Sequence, residues 1–424
     1  MGRLLFHGGH VFDAAGAQFE PEPAEPADIV VEDGRILAVG PGLDGDEGVD
    51  CNGKTLIPGL FDCHTHVMVS RYDLWRMAQT PFSLQFFEAA SNLAATLAAG
   101  ITTIRDAGGA DLGVKAAVEQ GLVQGPRMQI SIAMISQTGG HGDKWMVCGG
   151  TFPSPFGTPH PGRPAAIVDG PLEMRKKVRE LIRAGADVIK VATSGGVLSP
   201  RDDPRHGNFR DDELDALVAE ATATGRWVMA HAQATEGIKA AIRAGIRSIE
   251  HGIYLDDEAI DMMLERGTYL VPTLVAPRGV LDAAAAGASV TDESLRKAEM
   301  VIEAHDESVS RAVAAGVKLA MGTDSGVTPH GQNLRELALM VDRGMTPAQA
   351  LVATSRTAAE LMGLDGELGT LEPGKRADIV VVGGDPLQVD KLPDRIATVW
   401  KDGQLAVDRT AEADDSGALE NGAG

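Results

Sequence analysis

Phe61-Asp62-Cys63-His64-Thr65-His66, entered from the apolar run Thr55-Leu56-Ile57-Pro58-Gly59-Leu60, decides how the chain is read. Residues two apart on a strand point to the same face. His64 and His66 therefore leave a strand end side by side, where two imidazoles can grip one metal ion. An isolated His-x-His pair is often incidental. Here further candidate ligands follow, each closing its own apolar segment. Lys190 closes Ala186-Asp187-Val188-Ile189, His231 closes Trp227-Val228-Met229-Ala230, His251 closes Ile246-Arg247-Ser248-Ile249-Glu250, and Asp324 closes Leu319-Ala320-Met321-Gly322-Thr323.

Strand candidates lie at 56–62, 101–105, 128–135, 187–192, 227–231, 246–250, 268–274 and 317–322, with helical patterns between most of them, such as Leu172 to Ala184 and Asp211 to Ala223. Strands alternating with helices in this way predict an α/β chain folded as a (β/α)8, TIM-like barrel. The rival, an open doubly wound sheet, is disfavoured because no Gly-x-Gly-x-x-Gly opens a helix after the first strand. On a barrel, catalytic groups gather at the carboxyl ends of the strands, which is where these six residues fall. Each has a plainer explanation alone: a satisfied core histidine, a lysine snorkelling to solvent, an aspartate in a turn. Together they occupy the ends of strands one, four, five, six and eight.

Both chain ends have a different character. Ile29 to Val39 reads as strand, Asp-Gly turn, strand, and Ala377 to Val382 and Thr398 to Gln404 look alike. The ends predict a small β-sandwich domain of residues 1–57 with 368–411, set against a barrel of 58–367. Glu20 to Asp28 is expected to be an exposed loop, 346–363 one helix capped by Thr346 ahead of Pro347, and 412–424 a disordered tail.

The 424 residues carry a formal charge of −22, from 38 basic and 60 acidic side chains. That balance disfavours nucleic acid, whose phosphates need basic patches, and anionic membranes. No apolar run approaches the roughly 18 residues that span a bilayer, and the first residues lack the pattern of a signal peptide. Cys51, Cys63 and Cys148 form no Cys-x-x-Cys, which fits a reducing compartment. A soluble, cytoplasmic protein is expected.

From Ile57-Pro58-Gly59-Leu60 through His66 to Gly369-Thr370-Leu371-Glu372-Pro373-Gly374-Lys375-Arg376-Ala377-Asp378, the chain resembles the amidohydrolase superfamily. It is most similar to the imidazolonepropionase-like branch, which includes metal-dependent Xaa-Pro dipeptidases, lysine/arginine carboxypeptidases and ochratoxin-cleaving amidases. The resemblance implies two divalent metal ions, zinc being the natural choice for imidazole and oxygen ligands. His64, His66 and Asp324 would hold the buried ion and His231 and His251 the second. Lys190, carboxylated by carbon dioxide, would bridge them. A lysine near divalent cations is pushed toward the neutral amine that reacts in this way. A water shared by the metals would attack the C–N amide carbonyl of a dipeptide or N-acyl amino acid, with Asp324 as general base and then general acid. Aryl amides, carbamates and cyclic amides are alternatives within the same chemistry. A deaminase of this fold would carry a catalytic Glu beyond the strand-five His. Here Ala232-Gln233-Ala234-Thr235-Glu236 follows, with Glu236 expected to open a helix behind a Thr235 cap. A non-catalytic scaffold is disfavoured by the intact ligand set. The resemblance also implies a homo-oligomer.

Substrate contacts are sought in the long segment 136–170 and at the other strand ends. The resemblance places His141, in Gly139-Gly140-His141-Gly142, against the scissile carbonyl or nearby substrate oxygens. The glycines of Thr193-Ser194-Gly195-Gly196 let backbone approach a ligand. Dipeptidase relatives carry Tyr two residues after the strand-five His. Gln233 stands there instead and can bond an amide or carboxylate, while Tyr254 is a candidate to supply the missing hydroxyl. Arg71, Tyr72 and Arg278 are candidate carboxylate binders, and His330 a candidate for the pocket rim.

Overall fold

The computed structural model describes residues 2–16, 26–152, 159–199 and 201–410. The expected tail at 412–424 lies outside the described residues, as does most of the Glu20–Asp28 loop. Ala27 and Asp28 already belong to a strand, a correction to that loop's far boundary.

Eight strands from the two chain ends pair in one sheet. They are β1 (Leu4–Val11), β2 (Ala27–Glu32), β3 (Arg35–Gly40), β4 (Glu47–Asp50) and β5 (Lys54–Pro58), then, much later, β14 (Ile379–Gly383), β15 (Ile396–Lys401) and β16 (Gln404–Asp408). The order is β16-β15-β14-β5-β1-β2-β3, with β4 beside β1. The ends meet where β5 runs antiparallel to β14, Ile57 opposite Val380. Asp33-Gly34 and Asp402-Gly403 make the two tight turns, all four residues at positive φ, as a hairpin turn matched to strand twist requires. Phe6, Ile29, Leu56, Ile379 and Val381 form the apolar interior, and Trp400 sets its edge against Phe6 at 5.0 Å.

Between these ends the strands are parallel. β6 (Leu60–Thr65), β7 (Ile101–Asp106) and β8 (Arg127–Ile130) form a three-stranded sheet. β9 (Met134–Ile135), β10 (Ile189–Ala192), β11 (Val228–Ala232), β12 (Ser248–His251) and β13 (Tyr269–Val271) form a five-stranded one. Every residue of β6, β7, β10, β11 and β12 is buried, as expected of parallel strands covered on both faces. The register sets Ala192 beside His231 and Ala232 beside His251, so the strand ends line up.

The segment 317–322, expected as a strand, forms a single isolated bridge, from Leu319 to Leu270. It crosses between the two sheets: Ala320 N–H donates to the Leu270 carbonyl at 3.0 Å, and Cys63 N–H to Met321 at 2.9 Å. Each neighbour is met at single points, so no ladder develops. The single helix expected over 346–363 is two, Pro347–Ala353 and Arg356–Met362. The break lets Thr354 dock on β6, its hydroxyl donating to the Phe61 carbonyl at 2.6 Å. Thr346 does cap the first of them, in a reciprocal box with Gln349. Thr235 is no cap; its hydroxyl donates to the Tyr254 carbonyl. Among the described residues, no helix is long and apolar enough to cross a membrane.

Gly59 is the joint between β5 and β6. A Cβ there would lie 2.3 Å from Thr102 Oγ1, 2.9 Å from Thr102 Cγ2 and 2.8 Å from Asp378 Cβ. Gly59→Ala is expected to destabilise by about 1–3 kcal/mol through overpacking, read as a lower urea midpoint. Adding Thr102→Ala removes two of the three clashing atoms and should recover part of the loss.

Candidate metal centre and cavity

The carboxyl ends of the parallel strands open into a cavity of about 490 Å³. Its floor holds His64, His66, Lys190, His231, His251 and Asp324, so the fold brings together all six residues marked in the sequence. His64, His66 and Asp324 present ligand atoms that lie within 4.8 Å of one another. Asp324 Oδ1 is 3.1 Å from His66 Nε2 and 3.5 Å from His64 Nε2. The His251 ring lies 5.1 Å from that of His64 and 4.7 Å from that of His231.

One nitrogen of each imidazole is committed elsewhere. His64 Nδ1 donates to Glu250 Oε2 at 2.8 Å, and His66 Nδ1 to the Gly108 carbonyl at 2.7 Å. His231 Nε2 donates to the Gly195 carbonyl at 3.1 Å, and His251 Nδ1 meets Thr273 Oγ1 at 2.7 Å. Such contacts fix the tautomer and aim the second nitrogen, the usual support of a metal-binding histidine. Burial, reinforced by nearby positive charge, holds His64, His231 and His251 well below the usual imidazole range. Neutral rings with a free lone pair are what a metal requires.

Lys190 is buried and its Nζ has no hydrogen-bond partner. Burial lowers its pKa to about 8. An orphaned buried amine is costly, and one close enough to act on His64, His231 and His251 fits a group completed by something further. Burial acts to raise the Asp324 carboxyl, but His64, His66 and Lys190 outweigh it and hold the pKa near about 2. His251 and Asp324 both have left-handed backbones, φ 74° and 58°. Strain of this kind in non-glycine residues gathers at functional sites.

His141 also reaches the cavity. Its ring stacks on His231 with centroids 4.1 Å apart, and its Nδ1 lies 2.8 Å from Ser199 Oγ. Gln233 lines the wall, 4% exposed, with its Oε1 unpartnered. The other expected substrate contacts do not line the cavity. Tyr72 is buried with its hydroxyl beside Ser294, because the chain turns away after His66. Tyr254 packs against the apolar cluster of Val197 and Ile253. Arg278 is held by Asp306 and the Leu274 carbonyl, and His330 by the Val69 carbonyl. Arg71 is exposed and lies 3.9 Å from Asp73.

Three buried charges beneath the cavity were not anticipated. Glu250 accepts from His64, from Arg105 at 2.9 Å and from Ser248 at 2.5 Å. Asp62 receives Thr323 and Asn333 and the amide of His64; burial lifts its pKa to about 6 despite those bonds. The signal was available: Arg105 and Glu250 interrupt two otherwise uncharged strand interiors with opposite signs.

The chain matches the amidohydrolase family across residues 55–406. It is 35% identical over 407 residues to ochratoxinase of Aspergillus niger, a match covering 91% of this chain and 83% of that protein.

The protein belongs to the amidohydrolase family.

Solved structures agree. A Xaa-Pro dipeptidase with methionine bound in its active site has a TM-score of 0.86 at 33% identity, covering 95% of this chain and 99% of that one. A prolidase complexed with N-methylphosphonate-L-proline has a TM-score of 0.86 at 34% identity, covering 96% and 100%. This amidohydrolase is thus a hydrolase of carbon–nitrogen bonds with an α/β fold.

Glu250→Ala would leave the Arg105 guanidinium buried and unpaired, at a cost of about 3–5 kcal/mol, measurable by urea unfolding. Combining Arg105→Met with Glu250→Gln removes both charges, keeps an acceptor for His64, and should restore most of that loss.

Proposed function

We propose that the two parallel sheets close into a (β/α)8 barrel spanning 58–367, with residues 1–57 and 368–411 forming a β-sandwich against it. The bridges Leu270–Leu319 and Thr65–Ser325 support that closure on one side. The bonds from Asp187 and Val188 N–H to the Ile130 carbonyl support it on the other. The site at the strand ends is read as a binuclear metal centre of an amide hydrolase. His64, His66 and Asp324 would hold one divalent ion and His231 and His251 the other, with Lys190, as its carbamate, supplying the anion that two cations need. The observation that carries this is the unpartnered, buried Lys190 Nζ in a cavity floor shared with four histidines, each held through one ring nitrogen.

When bound, the two ions, most simply zinc, supply a readily deprotonated water and a Lewis acid for the carbonyl. The chain does the rest. Asp324, held ionised by its cationic neighbours, takes the proton of the attacking water and returns it to the leaving amine nitrogen. His141 faces the carbonyl oxygen and supports the charge that develops there. Gln233 offers its free amide to the substrate. Apolar walls from Ala133, Met134, Ile167, Leu198, Ile253 and Val280 exclude water around the scissile bond.

The substrate is a dipeptide or an N-acyl amino acid, a reading supported by the dipeptidase and prolidase likenesses. An aryl amide is the second reading, favoured by the apolar walls and the likeness to ochratoxinase. Amine release by the zinc-loaded protein from a panel of dipeptides, N-acyl amino acids and aryl amides tests both. Turnover of none of them overturns the proposal.

Asp324→Asn is expected to lower kcat by a hundredfold or more, on the order of a lost general base, in steady-state assays. Lys190→Ala should bind less than half the metal of the parent by elemental analysis, and labelled bicarbonate should enter the parent but not this variant. Chelation should abolish activity, with zinc and bicarbonate together restoring it.

A further inference from the structure

The cavity walls carry few charges beyond the proposed metal ligands. Two belong to the segment after His141: Asp143 and Lys144. The Asp143 carboxylate is spent on its own loop, accepting from Gly139 N–H at 2.9 Å and Trp145 N–H at 3.0 Å. Asp202, the nearby acid behind the wall, is held by Ser199, Gly196 N–H and Lys297. Lys144 is different. Its side chain lines the cavity and is partly buried. Among the described residues its ammonium takes part in no hydrogen bond or ion pair, and it feels Asp202 and Asp143 only at a distance.

A cation that lines an apolar cavity without a paired acceptor is only partly hydrated, and that carries a cost. The cost is offset when an anion arrives to complete the pair, and charge-assisted hydrogen bonds are the strong ones. The cavity already opposes a second ammonium, since among the described residues that line it the acids are Asp143, turned to its own loop, and Asp324, paired with His64 and His66. The remaining walls are apolar and suit a hydrocarbon side chain. The three arginine and tyrosine side chains expected to bind a carboxylate are all occupied outside the cavity or packed away from it.

We propose that Lys144 is the carboxylate anchor of the cavity, so that the substrate is an acylated amino acid whose free carboxylate pairs with the Lys144 ammonium. This rests on the amide-hydrolase reading and names the group that selects its leaving amino acid. It separates carboxylate-bearing amides from neutral carbamates and ureas, which would leave Lys144 unpaired. The acyl side needs no free amine, so N-acyl amino acids are preferred over dipeptides with charged N-termini.

The test is calorimetric titration of the zinc-loaded protein with L-phenylalanine and with phenethylamine, which differ only by the carboxylate. The parent is expected to bind L-phenylalanine about tenfold to a hundredfold more tightly, the range of a hydrogen bond to a charged group. Lys144→Met should remove that difference while leaving phenethylamine within twofold, and Lys144→Arg should keep most of it. The proposal is overturned if the parent fails to prefer L-phenylalanine, or if the preference survives in Lys144→Met. Amine release from N-acetyl-L-phenylalanine by the parent is measured alongside. Its absence would reject the hydrolase reading for this substrate while the titration still decides the role of Lys144.

Discussion

A single carboxylate, that of Glu250, lies fully buried between the Arg105 guanidinium and the His64 imidazole, and the cavity above depends on it. Arg105 can remain inside only because Glu250 neutralises it and because its Nε also donates to the Cys63 carbonyl at 2.7 Å. His64 is held in one tautomer because Glu250 accepts a hydrogen bond from its Nδ1. The same contact ties β7 to β12, across the two separate sheets, and to the carbonyl that precedes the first histidine. Buried pairs of this kind add little net stability compared with apolar packing. Their value here is positional: a guanidinium fork and a carboxylate allow few arrangements, and the histidine inherits that rigidity.

The chain around the strand ends is shaped to let functional groups approach closely. Gly196 lies where any Cβ would strike the His141 ring at 2.4 Å and His231 Nε2 at 2.8 Å. A Cβ on Gly322 would likewise strike Val271 and crowd His64. These glycines cost backbone entropy in the unfolded state, and they admit the stack of His141 on His231. The left-handed conformations of His251 and Asp324 have the same consequence. A strand ending in ordinary extended geometry would carry its last side chain past the cavity, whereas a reversed φ turns it inward.

Much of this was legible in the sequence because the responsible signals are local. His64 and His66 share a strand face by period two, and Lys190, His231 and His251 each close an unmistakable apolar run. Asp33-Gly34 announces a tight turn by composition alone. What stayed hidden depends on tertiary placement. The 317–322 segment has the composition of a strand, yet its partners are single residues on two different sheets. The 346–363 pattern is helical throughout, and only the need of Thr354 to reach Phe61 breaks it. Arg278 and His330 have the chemistry of substrate ligands, but Asp306 and the Val69 carbonyl, distant in sequence, claimed them first. Gln233 and His141 were reached through the family resemblance, which points to the second residue past His231 and to the Gly139–Gly142 stretch.

The acidic balance of the chain then gains a second meaning. A surface with a net charge of −22 repels an anionic substrate at long range and slows its encounter, an effect that salt screens. Inside the cavity the balance is reversed. The proposed metal centre is cationic and its ligands are mostly neutral imidazoles, Asp143 is turned to its own loop, and Lys144 adds an uncommitted positive charge. An anion that passes the rim therefore moves down a favourable gradient confined to the last few ångströms. Selection by such a site rests on holding the substrate once it has entered, because only contact at short range distinguishes a carboxylate from any other negative charge.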